Sequence, residues 1–252
     1  MIDDPWFYVV AVPAVTLFGV SKGGFGAGFG VIAVPLIALV ISPVQAAAIL
    51  LPILCLMDIF ALWAYRGKWI LPELRILVPA SLIGIAVGTL LFEYMSPAII
   101  RLILGLVAIT FTLNHWFHLT TRGNLERSAY PPAIGTIAGA TAGFTSFIAH
   151  AGGPPLDMYL LRRNLDRTGF VGTTVVFFAV ANYVKLVPYA WLGQLDISNL
   201  STSLVLAPLA PIGVGLGVWL HRRVSDQIFF HFVYTMLFVV GVKLIYDGIT
   251  GL

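Results

Sequence analysis

The sequence predicts an all-α polytopic membrane protein arranged as an inverted repeat, each half a glycine-broken re-entrant hairpin (or broken helix) plus three transmembrane helices. Three observations carry this expectation. Of 252 residues, 59% are hydrophobic and only 10% charged, against about 25% charged in a soluble domain. Apolar runs close to the ~20 residues that cross a bilayer recur along the whole chain, and the mean hydropathy is +0.97. Finally, two apolar regions are interrupted by dense glycine and proline, and the two halves of the chain repeat each other.

The first apolar run opens with Asp3 and Asp4, where a signal peptide carries positive charge, and ends in a glycine cluster, not a cleavage site. The net charge of +3 resides in short loops, which is a topology signal and no support for nucleic-acid binding. Cys55 is the single cysteine, so an intrachain disulfide and a cysteine-rich metal site are both excluded. It reads as an inert packing residue. No metal or cofactor is expected.

Taken in order, residues 6–41 are broken by the run from Ser21 to Gly30, and spans follow at 44–64, 72–92 and 98–118. Residues 131–161 are broken by His150-Ala151-Gly152-Gly153-Pro154-Pro155, and spans follow at 169–191, 198–219 and 228–247. Glycine and proline at this density do not continue a helix. Each broken region is one interrupted span or a hairpin of two half-helices, and loop charge bears on the choice. With two hairpins, Arg66, Lys68, Arg75, Arg122, Arg127, Arg162, Arg163, Arg167, Arg222 and Arg223 all fall on one side and only Arg101 on the other. With two single spans the bias vanishes. The positive-inside rule therefore favours hairpins, with both termini outside the cytoplasmic membrane. Trp63, Trp69 and Trp191 read as interfacial anchors.

The repeat is visible in glycine and proline. At a constant offset of 129, Pro79, Ile83, Gly84, Gly88, Ser96 and Ile99 meet Pro208, Ile212, Gly213, Gly217, Ser225 and Ile228. Asp58 and Tyr65 likewise meet Asn182 and Tyr189, and Pro35-Leu36 meets Pro155-Leu156. The first repeat is 1–118 and the second 119–252, in one integrated transmembrane domain. Three spans per half invert the second half relative to the first, as in many secondary transporters. The glycines spaced by four at Gly84/Gly88, Gly213/Gly217 and Gly135/Gly139/Gly143 read as close helix contacts.

Irregular backbone at membrane depth is tolerated where it lines a cavity or is buried in protein. Two breaks meeting near the midplane would aim the amides of their second legs at one point, an anion site. The candidate binding residues are Lys22, Gly23, Gly24, Gly26, His150, Gly152 and Gly153 at the breaks, with Asp58 and Asn182 at repeat-matched positions within spans, where a polar residue is functional by default. Lys185 is a further candidate. Like Lys243, it lies nearer an outer end, where snorkelling is the ordinary reading. No zinc-protease, serine-hydrolase or phosphate-loop motif is present.

Gly23-Gly24-Phe25-Gly26 with Pro35-Leu36, and Ala151-Gly152-Gly153-Pro154-Pro155-Leu156 followed by Tyr159-Leu160-Leu161-Arg162-Arg163-Asn164, resemble the sulfite exporter TauE/SafE family. Phe178, Asn182 and Gly193 fit the later part of that pattern, and the resemblance covers nearly the whole chain. It implies a secondary transporter of small sulfur-containing anions such as sulfite, sulfonates or sulfoacetate in a bacterial-type inner membrane. The expected partners are the anion and the lipid bilayer, with coupled protons and a homodimer left open. The competing readings are an intramembrane enzyme using His150 with Asp157 or Asp58, and an anion channel.

Overall fold

The computed structural model describes the chain except residues 26, 93, 121–130, 161–162, 164, 222, 224–225 and 252; at 27–29, 114–115, 118–120, 226–233 and 236 only the backbone is described. Apart from the N-terminus and the connecting turns, the described residues are helical, with no strand among them. Helix α1 (Pro5–Gly24) is followed by a 3₁₀ stretch (Ala27–Ile32) and the short α2 (Ala33–Ile37). Then come α3 (Pro43–Ala64), α4 (Leu71–Phe92) and α5 (Pro97–Thr120). The second half begins with α6 (Pro132–Ala149) and the short α7 (Gly153–Leu160), followed by α8 (Arg167–Trp191). The bent pair α9 (Ile197–Leu206) and α10 (Leu209–Leu220) and finally α11 (Asp226–Thr250) complete it. The six expected spans correspond to α3, α4, α5, α8, α9–α10 and α11.

Local chemistry fixes the helix starts. Ser42 accepts from the Gln45 amide before α3, Asp166 from Gly169 before α8 and Asp196 from Asn199 before α9, each satisfying one orphan donor of the first turn. Pro5, Pro43 and Pro132 sit in first turns, where a missing N–H costs nothing. The repeat-matched prolines behave differently. Pro79 lies within a continuous α4, whereas Pro208 stands at a 44° bend between α9 and α10.

The path of the chain decides between hairpin and broken span. The first turns of α9 touch both the N-terminus, through Ile2 N–H to Thr202 Oγ1 at 3.1 Å, and the start of α3, through Gln45 to Asn199 and Ser203 to Ile49. At the far end of α3 the Tyr65 hydroxyl donates to the Gly23 carbonyl at 2.8 Å. Helices α1 and α3 therefore run the same way, and the chain has returned between them. The second half does likewise. The starts of α6 and α8 both lie beside the start of α4, through Gly135 against Ile76 and Ile70 N–H to Thr173 Oγ1. Their far ends are joined by the Tyr189 hydroxyl to the Phe147 carbonyl at 2.6 Å. The two tyrosine bonds each span 42 residues and map onto each other with the Asp58–Asn182 offset, an arrangement compatible with an inverted repeat.

One expectation is corrected here. The first legs are not half-helices: α1 has 20 residues and α6 has 18, both long and apolar enough to cross a membrane. Only the return legs are short. As a result, the breaks lie past the middle of the bundle. The first is level with the C-terminal end of α3, through Tyr65, and the second with its first turns, where His150 meets Ala47. Those α3 residues are separated by about 27 Å of helix at 1.5 Å per residue. It is the return legs that meet, α7 packing against the 3₁₀ stretch.

Glycine sets the closest helix contacts. A Cβ on Gly19 would stand 2.8 Å from the Gly213 Cα, and one on Gly143 2.7 Å from the Ser81 Cα. Gly84 faces the α6 backbone in the same way, with Phe144 N at 2.7 Å. Helix α1 of the first half is thus clamped to α10 of the second, and α6 of the second to α4 of the first, as the spaced glycines predict. Large apolar side chains face outward, among them Leu90, Val187 and Leu204 at 69–74% exposure, the inside-out surface that lipid requires. Exposed Trp6, Trp63 and Trp191 stand near helix ends.

Candidate functional site

Four helices bring the polar residues of the core together: the first legs α1 and α6, and the spans α3 and α8. From α1, Lys22 reaches its Nζ to within 2.6 Å of Asp58 Oδ1 on α3 and 3.4 Å of the Leu54 carbonyl. Asn182 on α8 donates from Nδ2 to the second carboxylate oxygen at 2.8 Å. Both side chains of the ion pair are buried, at 4% and 0% exposure. Removing two charges from water costs several kcal/mol per ion. The carboxylate therefore stands only because an ammonium and an amide both satisfy it.

The second cluster lies across a small gap. Lys185 of α8 is wholly buried. Its ammonium donates to the Ser146 carbonyl and hydroxyl, both at 3.0 Å, and lies 2.8 Å from His150 Nδ1. His150 Nε2 lies 2.9 Å from the Ala47 carbonyl. A carbonyl only accepts, so Nε2 carries a proton, and Nδ1 accepts from Lys185: the network assigns a neutral imidazole. His150 caps α6 in the left-handed region, at φ 52°, the only non-glycine residue with positive φ among those described. The outer-end reading of Lys185 is corrected: α8 runs on to Trp191, and Lys185 points inward to the core instead of snorkelling. Lys243 is half-exposed and pairs with Asp247.

Between the clusters lies a cavity of about 10 Å³, lined by Phe18, Lys22, Leu54, Ser146, His150, Phe178 and Asn182. That is room for about one water, so this conformation is closed around its polar centre. The profile of the sulfite exporter TauE/SafE family matches residues 11–244. The chain belongs to the sulfite exporter TauE/SafE family. Neither a curated protein nor a solved structure gives a significant match. This is a family of membrane transporters, not of enzymes. His150 is engaged by Lys185 and Ala47.

The family member brings together Lys22, Asp58, Asn182, His150 and Lys185 of the residues expected from sequence. Gly23 and Gly24 are placed differently. Both belong to α1, and the backbone of α10 blocks the space a side chain would take. Their carbonyls accept from Tyr65 and from His221 Nδ1. Gly152 folds the turn after His150 onto Ser146 and Phe178, at 2.9 and 3.0 Å from its Cβ position. Gly153 is the buried first residue of α7. Gly26 lies outside the described residues, as do Arg122, Arg127, Arg162 and Arg222.

Ser146 was not among the expected site residues. One signal for it exists in the sequence: in the register that joins Asp58 to Asn182, it occupies the position of Lys22. Phe18 and Leu54 carry no such signal, since apolar residues lining a cavity cannot be told by sequence from apolar residues filling a core.

Outside the centre, Glu73 on α4 accepts from the Tyr159 hydroxyl and from Arg163 Nε, both at 2.8 Å. This ties the end of α7 to the start of α4. The Glu73 hydrogen bond raises the Arg163 pKa further above its ordinary value.

Proposed function

We propose that this protein is a secondary transporter that carries a small sulfur-containing anion, of the sulfite, sulfonate or sulfoacetate type, across the cytoplasmic membrane. The observation that carries the reading is the central cavity, lined by the buried Lys22 ammonium with Asn182, Ser146 and His150 on its wall, and backed by the buried Lys185 ammonium, which holds Ser146 and His150. These donors are now held by Asp58, Ser146 and His150, and an oxyanion entering the opened site takes over several of them at once. Because the cavity admits about one water, substrate entry requires the walls to part. Alternating access is the reading this supports: the clamped pairs α1–α10 and α6–α4 move relative to α3 and α8, opening the site to one side at a time.

The described loop charges support an orientation. Arg66, Lys68, Arg163, Arg167 and Arg223 belong to the end that holds the 65–70 and 163–167 segments, and Arg101 to the end that holds Asp3, Asp4 and Asp196. The positive-inside rule then puts both termini outside. The function is tested with purified protein in liposomes. Saturable uptake of labelled sulfite or a sulfonate, without chemical conversion, is expected, and no flux of any such anion refutes the reading. Imposed pH gradients in the same vesicles test proton coupling. Single cysteines at Asp3 and Arg66 in a Cys55→Ser background test topology. Labelling of the Asp3 site from the cytoplasmic side refutes the orientation.

A further inference from the structure

We infer that the central site neutralises one negative charge and no more, and that Asp58 is the residue that sets this limit. The inference rests on the anion-transport reading and narrows it to singly charged anions.

The charges can be counted from the contacts. Lys22 and Asp58 form a buried pair at 2.6 Å. Lys185 makes three contacts at 2.8–3.0 Å, to a carbonyl oxygen, a hydroxyl oxygen and an imidazole nitrogen, which matches the three donors of an ammonium. Among the described residues, no carboxylate pairs with it. His150 is neutral by the tautomer its two neighbours require. Two ammonium groups and one carboxylate leave a single positive charge around the cavity. Glu73 is paired with Arg163 at the bundle end, and Asp157, on α7, neither lines the cavity nor acts electrostatically on Asp58 or Lys185, so neither enters the count.

A low-dielectric core penalises any net charge left on it. An anion of charge −1 makes the site neutral, whereas a dianion leaves one negative charge buried. The repeat register sharpens the point. Ser146 occupies the position of Lys22, Asn182 that of Asp58 and Ala61 that of Lys185. The two ammonium groups thus come from non-equivalent positions, and one repeat has an amide where the other has the carboxylate. Restoring the amide in both repeats, by Asp58→Asn, raises the surplus to two.

Methanesulfonate and sulfate test this directly. Both are tetrahedral, of similar size, and hold fixed charges of −1 and −2 at neutral pH. Binding of each is measured calorimetrically on purified protein in lipid nanodiscs. The wild type is expected to bind methanesulfonate at least tenfold tighter than sulfate, and Asp58→Asn to reverse that order. Lys22→Gln, with no surplus charge, is expected to lose both by tenfold or more. The double variant Lys22→Gln/Asp58→Asn returns the surplus to one and should recover the preference for methanesulfonate. If Asp58→Asn does not fold, Lys22→Gln and the double variant still decide the matter. Undiminished methanesulfonate binding in Lys22→Gln, or no recovery in the folded double variant, overturns the inference. So does an unchanged preference in Asp58→Asn. Wild-type protein that binds neither probe removes the anion-transport reading itself. Wild-type protein that binds both equally overturns the charge assignment alone.

Discussion

Replacing His150 by alanine and by glycine separates two effects that meet at one residue. The backbone there is left-handed, at φ 52°, where a Cβ costs roughly 1–2 kcal/mol. The side chain offsets that cost through Ala47 and Lys185. Either substitution leaves the Ala47 carbonyl and one Lys185 donor unsatisfied, about 1–3 kcal/mol for each group. Alanine loses these bonds and keeps the strain. Glycine loses the bonds and releases the strain, less about 0.5–1 kcal/mol for the extra freedom of its unfolded chain. Both variants should therefore be destabilised, with His150→Gly the more stable of the two by about 0.5–1 kcal/mol. At right-handed helical positions the order is the reverse, so the sign is the test. Unfolding midpoints in mixed-detergent titrations measure it. His150→Ala at or above the stability of His150→Gly would refute the account of the break.

Two further perturbations follow from the packing. Gly143→Ala pushes a methyl into the Ser81 backbone and should cost about 1–3 kcal/mol, whereas Gly215→Ala on α10 meets open space and should gain about 0.5–1 kcal/mol from helix propensity; thermal unfolding that ranks them otherwise contradicts the glycine clamp. Tyr65→Phe and Tyr189→Phe each strand a buried carbonyl, at Gly23 and Phe147, and should lose similar amounts, about 1–3 kcal/mol. A large loss in one and none in the other, read by the same titration, would show that the paired bonds are not equivalent.

The spans were legible because each is a long apolar run: the expected starts at 44, 169 and 198 fall within two residues of the starts of α3, α8 and α9. The hairpins were legible through loop charge, which records the side of each turn. The depth of the breaks was not. Gly23 and Gly24 look like the break itself, yet helix α1 continues through them because α10 holds their backbone, a tertiary effect with no local mark. Asp58, Asn182, Lys22 and His150 stood out because a polar residue in an apolar run is conspicuous. The inward turn of Lys185 did not, since the same side chain near a span end serves equally to reach the interface. Its partners, Ser146 and the turn at His150, come from a helix in another part of the sequence.

The crossed clamps also bear on how the chain is made. The glycine face of α1 at Gly19 and Gly23 is complementary to Gly213 and Val214, about 190 residues later in synthesis. At roughly 5–20 residues per second, α1 waits about 10–40 s in the membrane before its partner leaves the ribosome. Throughout that interval its close-packing stripe is unfilled, and a second nascent chain or a stray small-residue helix can occupy it. The order of translation therefore makes the N-terminal helix wait longer for its permanent neighbour than α5 waits for α11, and it makes the time between the first and tenth helices a vulnerable stage of this protein's assembly.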